Sequence, residues 1–324
     1  MAKIFDDTID FGLYYKETEH KAHIHPASVY TQALRDRLTQ KRDEHTIHLP
    51  WDKTRDYFDF RPGEVTMWAG QNGHGKSQLS LQVSLSLIGQ FQTVCIASFE
   101  MKPITTLQRM ARLYMGFNPY DPNNHAGNGL DLINEQLSYF TDFGKNKLWI
   151  YDQTNQVETQ RVVGMVRYCA KELKLQHVVV DNLAKCIRNE DDYNGQKAFI
   201  DDMMSIAKDY GIHIHIVHHL KKPPKETDRP DKSDVKGSGA IVDQIDNLFL
   251  VWRNKAKEDK IKAGNTPDPS EPDQVLFCRK QRNYEGIYEG EPTVLLWHHK
   301  PSGQFLSSAT DEPMFFHNYP HRMT

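Results

Sequence analysis

The residues Gly70-Gln71-Asn72-Gly73-His74-Gly75-Lys76-Ser77 carry the spacing G-x-x-x-x-G-K-[ST] of a phosphate-binding loop. Glycines at Gly70, Gly73 and Gly75 let backbone N–H groups curl around phosphate oxygens, and a helix opening near Lys76 turns its positive end toward them. Lys76 is expected to neutralise the β- and γ-phosphates and the Ser77 hydroxyl to ligate Mg²⁺. Gln78, the next residue of that helix, joins the set expected to line the nucleotide site. The expected cofactors are therefore ATP, or another NTP or dNTP, with Mg²⁺. A chance glycine-rich turn is the competing reading, but here the apolar run Val65–Ala69 leads straight into the loop.

A metal on those phosphates needs a second carboxylate at the end of a buried strand. His177-Val178-Val179-Val180-Asp181 supplies one, with Asp181 at the C-terminal edge; a turn or helix-cap aspartate is the blander alternative. Hydrolysis also needs a group that orients or deprotonates water. Glu100 follows the apolar run Val94–Phe99 and falls at the end of the strand after the phosphate-loop helix. An acidic residue after a strand is commonplace alone. Lys76 and Asp181 give it catalytic meaning.

These groups must be held by a sheet. From Gly63 onward short apolar runs alternate with amphipathic helical patterns, which predicts an α/β fold: a mostly parallel twisted sheet with helices on both faces. The strand candidates are Val65–Ala69, Val94–Phe99, Leu148–Asp152, His177–Asp181, Ile212–Val217, Leu248–Trp252, Val275–Cys278 and Thr293–Trp297. The last two, separated by Tyr284 to Pro292, suit a C-terminal antiparallel hairpin. Helical stripes run through Ile104, Leu107, Met110, Ala111 and Tyr114, through Val162, Val166, Cys169, Ala170 and Leu173, and through Phe199, Met203, Ile206, Ala207 and Tyr210. All three read as core. Residues 221–236 and 254–274, charged and proline-bearing, read as mobile loops.

Residues 1–48 are polar and show no strand pattern, although Ala27 to Arg42 has Val29, Ala33, Leu34 and Leu38 at helical spacing. That helix either packs on its own domain or forms an arm docking on a neighbouring subunit. The expected division is an arm over 1–48, an ATPase domain over 49–310 and a C-terminal tail over 311–324.

A hydrophobic content of 38% supports a sizeable core, yet no apolar run is long enough for a membrane span. The acidic start Met1-Ala2-Lys3-Ile4-Phe5-Asp6-Asp7 has no signal-like core, so a cytoplasmic protein is expected. Cys95, Cys169, Cys186 and Cys278 have no short spacing, which points away from disulfides and zinc. The net charge of −3 does not decide nucleic-acid binding, because cations can gather on one loop facing a channel.

Taken in order, several segments resemble the hexameric replicative helicases of the DnaB type, including phage primase–helicases and mitochondrial Twinkle. They are Arg61-Pro62-Gly63-Glu64 before the phosphate loop, Ser98-Phe99-Glu100-Met101, the Asp181 strand, His218-His219-Leu220-Lys221, Lys236-Gly237-Ser238-Gly239-Ala240 and Lys280-Gln281-Arg282. The resemblance runs from about Leu49 to about Leu306 and implies a RecA-like P-loop NTPase core. It implies that His219 senses the γ-phosphate at the end of its strand. Lys280 and Arg282 would reach across a subunit boundary, with Arg282 an arginine finger; an exposed basic strand end is the alternative. Lys221, Lys222, Lys225, Lys236, Gly237, Ser238 and Gly239 would contact the phosphate backbone of single-stranded DNA, independent of sequence and sensitive to salt. Arg253 and His298 fall where relatives set flat groups against the base. A metal site built on His213, His215, His218 and His219 is the weaker reading of that histidine cluster, since no carboxylate–cysteine framework accompanies it.

Relatives of this type usually carry a primase or a helical collar ahead of the motor, whereas here the phosphate loop begins at Gly70. The resemblance implies a ring-shaped homo-oligomer, hexameric as the family is, that translocates 5′ to 3′ on single-stranded DNA without its own primase domain. A separate primase or polymerase is then an expected partner, and a bacterial host's cytoplasm the setting if a phage encodes the chain. Two rivals remain at this level: a RecA- or clock-type ATPase forming rings or filaments, and an ATP-switched loader or regulatory ATPase.

Overall fold

Val65–Gly70, Val94–Ser98 and His177–Asp181 are apolar runs buried at every position, as strands covered on both faces must be. The computed structural model describes residues 3–4, 9–15, 26–39, 46–187, 192–222, 225, 227–237, 239–266, 268–283 and 292–316. The N-terminal elements are β1 (Lys3–Ile4), α1 (Phe11–Tyr15), a 3-10 turn over Ala27–Tyr30, α2 (Thr31–Thr39), β2 (Ile47–His48) and β3 (Asp59–Phe60). Then follow β4 (Val65–Gly70), α3 (Lys76–Gly89), β5 (Val94–Ser98), α4 (Pro103–Met115), α5 (Gly129–Gly144), β6 (Leu148–Ile150), α6 (Thr159–Lys171) and β7 (His177–Asp181). The remainder is α7 (Tyr193–Tyr210), β8 (His213–His219), α8 (Gly239–Gln244), β9 (Asn247–Arg253), α9 (Lys255–Lys262), β10 (Gln274–Gln281), β11 (Thr293–His299) and β12 (Gln304–Leu306).

One sheet takes ten strands in the order β1-β6-β5-β7-β8-β4-β9-β10-β11-β12. The pairings from β1 to β9 are parallel and those from β9 to β12 antiparallel. All eight strand candidates are present, and so is the hairpin of β10 and β11; its turn, within Tyr284 to Pro292, lies outside the described residues except for Pro292. Alternate side chains of each strand enter two cores, one per sheet face. Met67, Ala97, Val180 and Ile216 pack with α6 and α7, while Trp68, Ile96, Val179 and Phe249 pack with α3 and α4. The RecA-like architecture expected from the sequence is the one observed.

Several expectations change. Residues 1–48 do contribute strands: β1 pairs with β6 through Lys3↔Trp149 and Ile4↔Ile150, and β2 pairs with β3. Two residues are too few to show a period. Phe11 of α1 is buried between Tyr151 and Tyr168, at ring separations of 5.9 and 5.8 Å, so this part of the N-terminal segment belongs to the domain. A Cβ on Gly164 would come within 2.1 Å of the Phe11 carbonyl oxygen, which is why α6 has glycine there.

The 27–42 helix is observed as the 3-10 turn and α2, with residues 40–42 outside the described set. Its apolar stripe does not pack on the domain: Val29, Leu34 and Leu38 are all exposed. Ile104, read as core, is also exposed on α4.

The segment 254–274 is not a loop throughout, because α9 occupies its first half. Asn254 caps that helix by accepting from the Lys257 N–H, and Lys257 is buried against Asp273 at 2.8 Å. Within 221–236, Asp231 and Asp234 form a reciprocal capping box and Leu220 bridges Val235; Pro223, Pro224 and Glu226 lie outside the described residues.

Of the 311–324 tail, residues 311–316 run back over the domain. The Met314 N–H donates to Gln304 Oε1 at 2.6 Å and Phe316 is buried, while residues 317–324 lie outside the described set. All four cysteines are buried. No described helix is long and apolar enough to cross a membrane.

Candidate active site

Parallel pairing brings the chemistry together. The register sets Ser98 beside Asp181, Asp181 beside Val217, and His219 beside Gly70, so the C-terminal ends of β5, β7, β8 and β4 share one edge. Ligands of open α/β sheets bind at such an edge. Glu100, Asp181, His219 and the phosphate loop, spread over the sequence, are all delivered there.

The loop's geometry follows from its glycines. Gly73 and Gly75 have φ of 76° and 77°, a region where a side chain is strained. A Cβ on Gly70 would lie 2.7 Å from the Val251 carbonyl oxygen of the adjacent strand. Asn72 and Gly73 are exposed at the loop's tip, Gln71 donates to the Lys221 carbonyl, and His74 is buried, its ring pushed down to about 4 chiefly by desolvation. Lys76 lies inside the loop, its ammonium donating to the carbonyls of Gly70 at 2.8 Å and Gln71 at 2.9 Å. Burial lowers its pKa to about 8, opposed by Asp181 and Glu100.

Asp181 is buried and its pKa is raised to about 6, by desolvation first, while the Ser77 hydroxyl bonded to it, Lys76 and Arg109 pull the other way. A buried carboxylate and a hydroxyl in contact are hard oxygen donors, a set that suits Mg²⁺. Ser77 and Asp181 would hold that ion beside the phosphates.

Glu100 and His219 are joined through a third residue. Asn182 stands between them, donating from Nδ2 to Glu100 Oε1 at 2.6 Å and to His219 Nε2 at 3.0 Å. Sequence reasoning missed Asn182, and its only signal was its place directly after Asp181.

Beside the loop a cavity of about 610 Å³ is lined by Gly73, Gly75, Gln78, Arg253, His298 and Phe305, with Arg109 and Arg112 from α4. Arg253 bonds the Gly73 carbonyl at 3.0 Å and pairs with Glu258; Gln78 bonds the Gly303 carbonyl at 3.0 Å. The His298 and Phe305 rings lie 5.3 Å apart at 41° to one another, two aromatic faces on the cavity's lining. Arg253, His298 and Gln78 are thus brought together at the cavity. Phe305, Arg109, Arg112 and Gln274 were not singled out in the sequence, because they come from segments without a local motif. Gln274 touches the loop directly, donating to the His74 carbonyl at 3.0 Å.

The basic segment after β8 is anchored at both ends to that strand. His218 points to the opposite face from His219, and its Nε2–H donates to the Lys236 carbonyl at 2.7 Å, while the Lys236 N–H donates to the His219 carbonyl at 3.0 Å. Lys221 donates to the Ser233 carbonyl at 3.0 Å; Lys221, Lys222 and Lys225 are exposed. Gly237, at φ 102°, has no room for a Cβ, which would fall 2.0 Å from Gln196 Oε1. Gly239 opens α8; Ser238 lies outside the described residues.

Lys280 and Arg282 are found elsewhere. Lys280 donates to the carbonyls of Val242 and Asp243 at 2.8 and 2.7 Å, capping α8, and burial lowers its pKa. Arg282 bonds the Asp243 carbonyl at 2.6 Å and approaches Asp246 at 3.6 Å. β10 carries them to the start of β9, the sheet edge opposite the phosphate loop.

His213 and His215 do share a face, but they join His177 rather than a metal. His213 spends its ring nitrogens on the Arg61 carbonyl and the Thr66 hydroxyl at 2.7 and 2.8 Å, and His215 Nε2 meets His177 Nδ1 at 3.1 Å. Burial is the largest cause lowering all three, His213 to about 4. Among the described residues, no group of three or more His, Cys, Asp and Glu side chains is arranged to hold a metal.

Residues 56–289 match the family model described as the DnaB-like helicase C terminal domain. A DNA helicase/primase of Enterobacteria phage T3 is 25% identical over 246 residues, 69% of this chain and 42% of the phage protein. The chain thus spans about two fifths of the length of that curated relative. A solved DnaB-like replicative helicase, described with its interactions with primase, superposes with a TM-score of 0.71 at 15% identity, over 87% of this chain and 68% of that one. A second solved structure, described as an ATPase domain, gives a TM-score of 0.70 at 15% identity, over 87% of this chain and 99% of that one. At such identity the superpositions speak for the fold. The family match covers most of the chain and includes the phosphate loop, the Asp181 strand and the basic segment: the chain belongs to the family of DnaB-like helicase C-terminal domains.

Proposed function

We propose that the chain is an ATP-driven replicative helicase motor, a homo-oligomeric ring, hexameric by family, that translocates 5′ to 3′ along single-stranded DNA and unwinds duplex ahead of it. One observation carries the reading. The phosphate loop, Asp181, Glu100 and His219 share one sheet edge, and the basic pair Lys280 and Arg282 lies at the other. In a ring of head-to-tail copies the far edge of one subunit meets the near edge of the next.

On this reading the phosphate loop and Lys76 bind the triphosphate, and Arg253, His298 and Phe305 line the base. Mg²⁺, held by Ser77 and Asp181, would supply charge neutralisation at the β- and γ-oxygens. Glu100 orients the attacking water. Arg282 from the neighbour meets the charge that develops on the γ-phosphoryl oxygens, with Lys280 beside it; such a finger supplies about 10³–10⁵ in rate. His219 reports the γ-phosphate to the segment Lys221–Gly239, whose cations line the channel and hold the DNA backbone. The exposed stripe of the 3-10 turn and α2, Val29, Leu34 and Leu38, is the arm that docks on the next subunit. A primase or polymerase supplied as a separate chain is the partner class this motor would serve, in the cytoplasm where replication proceeds.

A forked duplex with a single-stranded 5′ tail tests the proposal. ATP- and Mg²⁺-dependent unwinding of the 5′-tailed fork is expected, with none on a fork tailed only at 3′. ATP hydrolysis that single-stranded DNA does not stimulate, with no unwinding, would favour the loader or switch reading instead.

A further inference from the structure

Asn182 is 1% exposed and opens a 3-10 turn over Leu183–Lys185. Asparagine at that position ordinarily turns its side chain onto the turn's own N–H groups. Here it makes no capping bond. Its amide nitrogen is committed instead to Glu100 and His219, and its Oδ1 has no hydrogen-bonding partner among the described residues. The hydrogen bonds of this buried amide therefore run to Glu100 and His219 rather than to its own turn.

The two acceptors fix how the amide must lie. A carboxylate oxygen at 2.6 Å and an imidazole nitrogen at 3.0 Å both need a donor, so only the NH₂ end fits between them. This also makes His219 Nε2 the acceptor, leaving the ring proton on Nδ1. The charges facing Glu100 from neighbouring elements are Lys76 on α3 and Asp181 on β7. Asn182 makes the described hydrogen-bonded connection between the carboxylate and β8, the strand whose end carries the basic segment through the Lys236 bonds of His218 and His219.

We propose that Asn182 is the positioning residue that makes hydrolysis answer to DNA: its amide ties Glu100 to His219, so the carboxylate's place tracks the end of β8. This rests on the helicase reading above. A displacement of the basic segment by bound DNA is passed to His219, then through one amide to the group that orients water. On this proposal Asn182 acts through Glu100 rather than on the reacting atoms.

The test compares the full chain with Asn182→Asp, which keeps size but removes both donors, Asn182→Ala, and His219→Ala alone and combined with Asn182→Ala. ATP hydrolysis is measured with and without oligo-dT, after thermal melts establish that each variant is folded. The factor by which oligo-dT raises kcat is expected to fall at least about tenfold in both Asn182 variants, with KM for ATP within about twofold. The double variant should lose no more than the worse single one, because the two residues act through one bond. Asn182→Asp with the full stimulation factor overturns the role, as does additive loss in the double variant. A large rise in KM with the stimulation factor intact also overturns it, showing a structural role instead. If the unaltered chain is not stimulated by oligo-dT, the helicase reading itself fails and this role with it.

Discussion

Gln274 and Arg282 belong to the same strand run and stand at opposite edges of the sheet. Gln274 opens β10 with its amide on the His74 carbonyl of the phosphate loop, and Arg282, just past the strand's other end, bonds the Asp243 carbonyl. At roughly 3.3 Å per residue they are separated by about 25 Å, beyond the reach of any side chain. The arginine-finger role proposed for Arg282 would therefore act on phosphate held by another copy of the chain.

Replacing Lys76 with alanine removes the cation inside the loop. Nucleotide affinity should fall by at least about a hundredfold and hydrolysis should be lost, as read by fluorescent-nucleotide titration. Unchanged affinity would mean that the loop does not hold phosphate.

Asp181 gives a test in which stability and function move oppositely. Its pKa is raised in the fold to about 6, so its favourable contribution is full below the unfolded value near 3.8 and is lost as pH rises through about 6. At neutral pH the ionised carboxylate therefore destabilises the fold by up to about 3 kcal/mol. Asp181→Asn should raise the melting temperature at pH 7.5 while abolishing Mg²⁺-dependent hydrolysis. A lower melting temperature would show that the carboxylate is a structural partner.

The buried histidines set an acid limit. His177, His213 and His215 have folded pKa values below the unfolded value near 6.5, so the stability they confer is present above pH 6.5 and lost as pH falls toward about 4. Each contributes up to about 1.4 kcal/mol per pH unit across that window. Protonation of Asp181 near pH 6, with Asp202 and Asp246 also raised by burial, opposes this, while His74 and His218, lowered to about 4 by burial, act with the cluster. Melting temperature should drop between pH 6.5 and 4.5; a flat profile would contradict the assigned neutral cluster.

Much of this was legible in the sequence. The phosphate loop, Glu100 and Asp181 declare themselves because each follows an apolar strand, and parallel pairing then leaves them little choice of place. Strands β1, β2 and β3, two residues each, are too short to carry a period. Helix α9 was hidden because Lys257 and Asp273, not an apolar stripe, hold it down. Asn182, Gln274 and Phe305 take their roles from neighbours far along the chain, which spacing does not encode.

The basic segment can be probed without touching the phosphate loop. Gly237→Ala puts a methyl group against Gln196 at a φ of 102°, and oligo-dT affinity should fall roughly tenfold with KM for ATP unchanged. Lys222→Ala should instead shallow the salt dependence of binding by about one unit of slope. Fluorescence anisotropy across a salt series distinguishes the two effects, and equal slopes in all variants would remove Lys222 from the DNA contact.

The most direct measurement mixes Arg282→Ala and Glu100→Ala subunits and follows oligo-dT-stimulated ATP hydrolysis against the mixing ratio. Each variant alone should be nearly inactive, and mixtures should regain part of the activity, greatest near equal proportions, because an intact Glu100 site can then face an intact Arg282. Mixtures as inactive as their components, or Arg282→Ala subunits hydrolysing ATP at the full rate alone, would contradict catalysis shared between neighbours.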